Sequence, residues 1–134
     1  MQIVIFKLNN EQYAIDSSKV QNIVDNMNIT NVPNSPSYVI GLINLRGNVI
    51  TMLNLNTLLN IEECKSDQNN IVIIKRKDEL VGVSVDEVEE VLEIDKNMIT
   101  SRRDIKDKPY IKGIIKLVDN RIVTLIDIDE FELN

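Results

Sequence analysis

Four glutamates fall within seven residues of this chain, Glu87, Glu89, Glu90 and Glu93, and form its densest set of potentially reactive side chains. Paired carboxylates move protons when they face each other across a cleft with pKa values driven apart. These alternate with Val88, Val91 and Leu92, so the spacing reads as a solvated acidic face over a buried apolar one. Histidine is absent, which removes Ser-His-Asp triads, most zinc sites and the usual proton shuttle. Cys64 has no base to activate it and sits in a polar stretch, where an ordinary exposed thiol is expected. The four glycines build no P-loop, G-x-G-x-x-G or G-x-S-x-G. The sequence therefore offers no catalytic residue, metal-ligand set or cofactor cradle. A non-enzyme is expected, one that holds other proteins.

Charge narrows the partners. The net charge is −6, and residues 1–60 are balanced, with Lys7, Lys19 and Arg46 against Glu11, Asp16 and Asp25. All the excess acid lies further on. An acidic chain without a basic stripe repels phosphate polymers, so nucleic acid is not expected. The basic residues at 102, 103, 106, 108, 112 and 116 are interrupted by Asp104 and Asp107 and read as a solvated loop. A lone cysteine points weakly to a reducing compartment. No apolar run approaches the roughly 18 residues of a membrane helix, and Met1-Gln2 leads straight into a strand pattern. A cytoplasmic location without membrane insertion is expected.

The elements that would carry a binding surface are repeated. YVIGLINLRGNVITMLNL (38–55) returns as YIKGIIKLVDNRIVTLIDI (110–128), pairing Tyr38 with Tyr110, Gly41 with Gly113 and Leu45 with Leu117. IVIFKLNNEQYAIDSSKVQNIV (3–24) likewise falls on IVIIKRKDELVGVSVDEVEEVL (71–92). A period of half the chain is too long for a solenoid unit and indicates duplication. The expectation is one domain over 1–134, made of subdomains at about 1–67 and 68–134. A unit of about 60 residues is marginal alone, so the halves should share a core.

QIVIFKL (2–8) and QYAID (12–16) read as a hairpin around Asn9-Asn10-Glu11. SSKVQNIVD (17–25) suits a short helix or turn capped by Asp16 or Ser17, with Val20, Ile23 and Val24 on one face. Asn54 and Asp127 are matched N-cap residues, each opening a short helix. Residues 62–70 are a polar linker and 95–109 a looser loop. Many short strands with turns every 8–12 residues or so mean an all-β protein with short helices, as paired small barrels or a sandwich.

The repeated hairpin differs at its tip, Arg46-Gly47-Asn48 in one copy and Val118-Asp119-Asn120-Arg121 in the other. GLINLRGNVITMLNL resembles the G-x-x-N-L-R-G hairpin of the CheW family of chemotaxis coupling proteins. YAIDSSKVQNIV, VGVSVDEVEEVL and YIKGIIKLVDNRIVTLIDIDEF resemble three further family segments in register, from about residue 3 to 131. The resemblance implies two intertwined five-stranded SH3-like barrels. It implies a scaffold bridging methyl-accepting chemotaxis receptors to the regulatory domain of the histidine kinase CheA, within arrays at the membrane. Carried over by position, the receptor-binding candidates are Val20, Ile23, Gly41, Arg46, Gly47 and Val91; no kinase-binding residue is assigned. Core packing is the plainer reading for the three apolar residues, and backbone need for the glycines. Arg46 is either an interface group or a strut within its own lobe. The rival functions are a small-molecule or nucleotide sensor on a barrel, and a coupling protein of a non-motility signalling array.

Overall fold

The structure, a computed structural model, describes residues 1–62, 67–101, 108–131 and 133. Its strands are β1 (Gln2–Leu8), β2 (Glu11–Asp16), β3 (Val20–Asp25), β4 (Val39–Leu45), β5 (Asn48–Leu53), β6 (Asn70–Arg76), β7 (Glu79–Val85), β8 (Glu87–Glu93), β9 (Ile99–Thr100), β10 (Ile111–Lys116) and β11 (Ile122–Ile126). One short helix, α1 (Leu55–Leu59), follows β5. The protein is all-β, as the strand-rich pattern predicts. The strands form a six-stranded sheet, β8-β1-β2-β11-β10-β9, and a five-stranded sheet, β3-β6-β7-β5-β4.

Local chemistry places the turns. Asn9 and Asn10 have φ of 53° and 65°, the left-handed pair that a two-residue hairpin needs and that asparagine tolerates. Asn54 caps α1, its Oδ1 accepting from the Thr57 backbone N–H at 3.2 Å. Asp127 caps only a 3₁₀ turn at Ile128–Glu130, so the second expected helix is shorter than its counterpart. Asp16 caps a 3₁₀ turn at Ser17–Lys19, and the chain then runs extended. The expectation of a short helix or turn over 17–25 therefore holds only for this capped turn, and the rest of the segment is corrected to a strand. Antiparallel pairing of Ile23 with Val72 and of Val24 with Ile71 imposes a period of two, which suits β-branched side chains. Val20, Ile23 and Val24 accordingly do not share a face: Ile23 points to solvent while Val20 and Val24 are half-buried.

Each sheet draws strands from both halves of the sequence. β1 and β2 join β8–β11, while β6 and β7 join β3–β5. The division near residue 67 marks the sequence repeat and does not separate the sheets. The parallel contacts β2–β11 and β5–β7 are where the exchanged hairpins dock.

Three apolar clusters follow from this exchange. One lies within the six-stranded sheet, around Ile3, Ile5, Ile115 and Val123, and one within the five-stranded sheet, around Ile43, Met52, Ile71 and Ile73. The third takes Phe6, Ile15 and Ile126 from the first sheet and Leu53, Val72 and Val83 from the second. Each such side chain is worth about 1.5–3 kcal/mol when buried, against a typical net stability of about 5–15 kcal/mol. A few of these residues therefore decide whether the lobes hold together. The shared core is real.

Gly41 and Gly113 show how closely the duplication is kept. A Cβ on Gly113 would lie 2.7 Å from the Thr100 carbonyl oxygen, and one on Gly41 would collide with the carbonyl oxygen of Thr30. In both lobes the next residue pairs with that threonine, Leu42 with Thr30 and Ile114 with Thr100. Both glycines also sit at a register shift against the neighbouring strand. Close backbone approach is what a strand glycine usually marks.

Candidate partner-binding surface

The surface that could hold a partner is formed by two sheet edges and two hairpin tips. β3 and β8 are edge strands occupying the same place in the repeat, each pairing on one side only. Alternation along them turns Ile23 outward on β3, 40% exposed, and Val91 outward on β8, 53% exposed. An exposed edge with apolar side chains is a ready template for another chain. The expectation that Val91 lies on a buried face is corrected: β8 alternates, and Glu87, Glu89, Val91 and Glu93 share the exposed side.

The remaining candidates lie elsewhere. Val20 opens β3 and packs partly against the shared core. Gly41 is buried in β4 and offers no surface, so its role is the backbone approach to Thr30. Arg46 and Gly47 form the two-residue tip between β4 and β5, where Leu45 pairs with Asn48. Their φ values of 52° and 84° are the positive pair of a tight hairpin, and the Gly47 N–H donates to Asn44 Oδ1 at 3.0 Å. Arg46 is exposed and has no ion pair among the described residues. In strand order β3 and β4 are opposite edges of their sheet, and Val91 belongs to the other sheet. The six candidates therefore divide among three places.

The matching tip on β10–β11 is built differently. The Leu117 N–H donates to the Arg121 carbonyl at 2.9 Å, and Asn120, with φ 70°, takes the left-handed position. Arg121 donates from Nε to Asp119 Oδ2 at 2.7 Å and pairs with Glu90 Oε1 on β8 at 2.6 Å. The Arg121 backbone N–H, ahead of its guanidinium, holds the Asp119 carboxyl below the usual carboxylate value. Contacts with Glu90 and then Asp119 push the arginine's own pKa up. Leu92, Met98, Leu117 and Val118 line a hollow of about 540 Å³ beside this network.

Sequence reasoning missed the exposed apolar residues of the tips. Val49 is 66% exposed and Ile122 61%, at equivalent positions just after each turn, and Val118 is 96% exposed. Val118 was legible, since it stands beside Asp119-Asn120 in a turn; Val49 and Ile122 look like ordinary strand residues until their strands have a register. Among the described residues no cluster of Cys, Asp or Glu could hold a metal ion, and no helix is long and apolar enough to cross a membrane. Cys64 and the basic positions 102, 103 and 106 lie outside the described residues.

This arrangement has relatives. A CheW-like domain family matches residues 2–132. The chain is 32% identical to the chemotaxis protein CheW of Thermotoga maritima over 131 residues, covering 96% of this chain and 85% of that one. It is 33% identical to the CheW of Bacillus subtilis, with 94% and 83% covered. The crystal structure of the scaffolding protein TtCheW from Thermoanaerobacter tengcongensis superposes with a TM-score of 0.89 at 31% identity, over 99% of this chain and 93% of that one. With a family match across both lobes and a solved relative of the same architecture, this chain belongs to the CheW-like family.

Proposed function

We propose that this chain is a chemotaxis coupling scaffold that bridges methyl-accepting chemoreceptors to the histidine kinase CheA, acting through the kinase's regulatory domain. The family match over nearly the whole chain supports the scaffold role. The observation that carries the bridging role is the pair of uncovered edge strands with differently built tips. A bridge must hold two partners at once, and these two lobes present unlike surfaces on one frame. On this reading Ile23, Val91 and Arg46, all exposed, are the side chains that touch the receptor. Val20, Gly41 and Gly47 act by holding the strands and the tip that present them. A scaffold needs surfaces rather than reacting groups, and the reading assigns the chain no reaction. It works in the cytoplasm, joined to receptor arrays through its partners.

The test is separability. Charge reversals across the exposed positions of β3, β8 and the two tips would be assayed in parallel for receptor binding and for kinase binding. The expected outcome is at least one substitution that loses each partner while keeping the other. Losses that always fall together would indicate one shared site and overturn the bridge. Calorimetry with nucleotides should show no heat of binding; a saturable heat would move the reading to a sensor.

A further inference from the structure

An arginine is an unexpected residue for the first position of the β4–β5 tip. Leu45 and Asn48 form the last pair of the hairpin, which leaves Arg46 and Gly47 as its whole turn. Both have positive φ, 52° and 84°, a pattern that asparagine, aspartate and glycine meet most easily. A left-handed arginine brings its Cβ close to the following carbonyl, so the residue itself favours other turn geometries. Something else must hold it there. Neither turn residue belongs to the strand ladder, and the Gly47 N–H therefore needs an acceptor from outside it. That acceptor is Asn44 Oδ1, at 3.0 Å.

Asn44 is exposed and sits opposite Val49 in the hairpin, so its side chain has no part in the core. The Gly47 N–H belongs to the peptide that joins Arg46 to Gly47. A hydrogen bond to it fixes the plane of that peptide, and with it the direction in which the arginine side chain leaves the tip. The other lobe orients its arginine by different means. The residue matching Asn44 there is Lys116, and Arg121 is held by its guanidinium, between Asp119 and Glu90. Arg46 has no ion pair among the described residues, so its direction is set through the backbone. We propose that Asn44 is the positioning residue of Arg46: by holding the Gly47 N–H it keeps the arginine in the left-handed turn, with its guanidinium directed out of the tip. Without that acceptor the turn relaxes toward geometries with negative φ at Arg46, and the side chain swings away. The consequence for receptor binding rests on the reading above that Arg46 touches the receptor; the hold on the turn does not.

The experiment uses the full-length chain and the purified cytoplasmic domain of a methyl-accepting chemoreceptor. The variants are Asn44→Ala, Asn44→Ser, Arg46→Ala and the double variant Asn44→Ala with Arg46→Ala. Serine keeps an oxygen for the Gly47 N–H and adds no charge. Asn44→Ala should weaken receptor binding about fivefold to tenfold, the scale of one hydrogen bond, and Asn44→Ser should recover most of the loss. In the double variant Asn44→Ala should add nothing to the effect of Arg46→Ala, because a residue acting through Arg46 then has nothing to position. Full additivity would mean that Asn44 acts on its own, and would overturn the proposal. Undiminished binding by Asn44→Ala, where Arg46→Ala weakens it, would do the same. A second measurement needs no receptor: the intraresidue amide–Hα NOE and coupling of Arg46 report its positive φ by NMR. Both should change in Asn44→Ala and return in Asn44→Ser; no change in Asn44→Ala would overturn the proposal. If they change while Arg46→Ala leaves receptor binding intact, the receptor reading of Arg46 fails and the positioning by Asn44 stands.

Discussion

At the β4–β5 tip Arg46 stands exposed at φ 52° without an ion pair among the described residues, while at the β10–β11 tip Arg121 grips both Asp119 and Glu90. The frames beneath are alike: the same glycine against the same threonine, and the same register shift. The repeat position matching Glu90 is Asn22, which carries no charge. The comparison teaches that the duplication preserved what folding demands and released what folding does not. A guanidinium with five unspent donors suits a partner's carbonyls and carboxylates; one already bound to two carboxylates serves as a strut.

The most drastic way to break the comparison is to separate its halves. Residues 1–67 alone would hold β1–β2 without β8 and β11, and β3–β5 without β6 and β7. No cooperative thermal transition is expected by circular dichroism. A fragment melting like the whole chain would mean that the hairpin exchange is dispensable.

Next come the paired glycines. Gly41→Ala and Gly113→Ala each press a Cβ into a backbone carbonyl, and overpacking of this kind costs about 1–3 kcal/mol. Denaturant melts should show similar losses for both. A large loss at one and none at the other would show that the lobes are less alike than their registers imply.

The arginines should then part company. Arg46→Ala should change stability by no more than about 0.5 kcal/mol, yet weaken reconstituted receptor–kinase coupling by about 2 kcal/mol, as interface arginines do. Arg46→Lys should rescue poorly, because it keeps the charge and loses the planar fork. Arg121→Ala should do the reverse, lowering the melting midpoint modestly with a smaller effect on receptor coupling. If Arg46→Ala proves the more destabilising of the two, Arg46 is the strut and the comparison is inverted.

The smallest effect concerns pH. Asp119 and Asp129 are both held below the usual carboxylate value of 3.8, Asp119 chiefly by the Arg121 backbone N–H and Asp129 chiefly by the Lys19 ammonium. A carboxyl depressed in the folded state contributes stability above its unfolded pKa and loses it as pH falls through the folded one. Both contributions should therefore be full near neutrality and fade only in acid, below about 3.8. By NMR titration, Lys19→Ala should raise the Asp129 carboxyl toward its ordinary value. Arg121→Ala should raise Asp119 only partway, because the backbone donor remains. A complete return of Asp119 would show that the guanidinium governs it.

Much of this was legible in the residues. Alternating Ile3, Ile5, Ile71 and Ile73 predicted strands, Asn9-Asn10 a hairpin, Asn54 and Asp127 caps, and the repeat a pseudo-duplicated all-β molecule with a shared core. These are local properties, set by side-chain period and turn chemistry within a few residues. Arg46 was open to notice because its repeat equivalent is Val118.

The rest belonged to the tertiary structure. Ile3–Asp16 and Ile71–Ser84 carry nearly the same hydrophobic pattern, so the pattern cannot say which hairpin joins which set of strands; connectivity and packing chose the exchange. Val20–Asp25 suits a helix or a strand until β6 lies beside it, and that edge pairing is what turns Ile23 outward. That Arg121 is bound rests on Glu90, far off in sequence and brought near only by the fold, while Arg46 has no ion pair among the described residues. Sequence spacing determined the elements of this protein. Which surfaces those elements left uncovered was decided only when the two halves closed on each other.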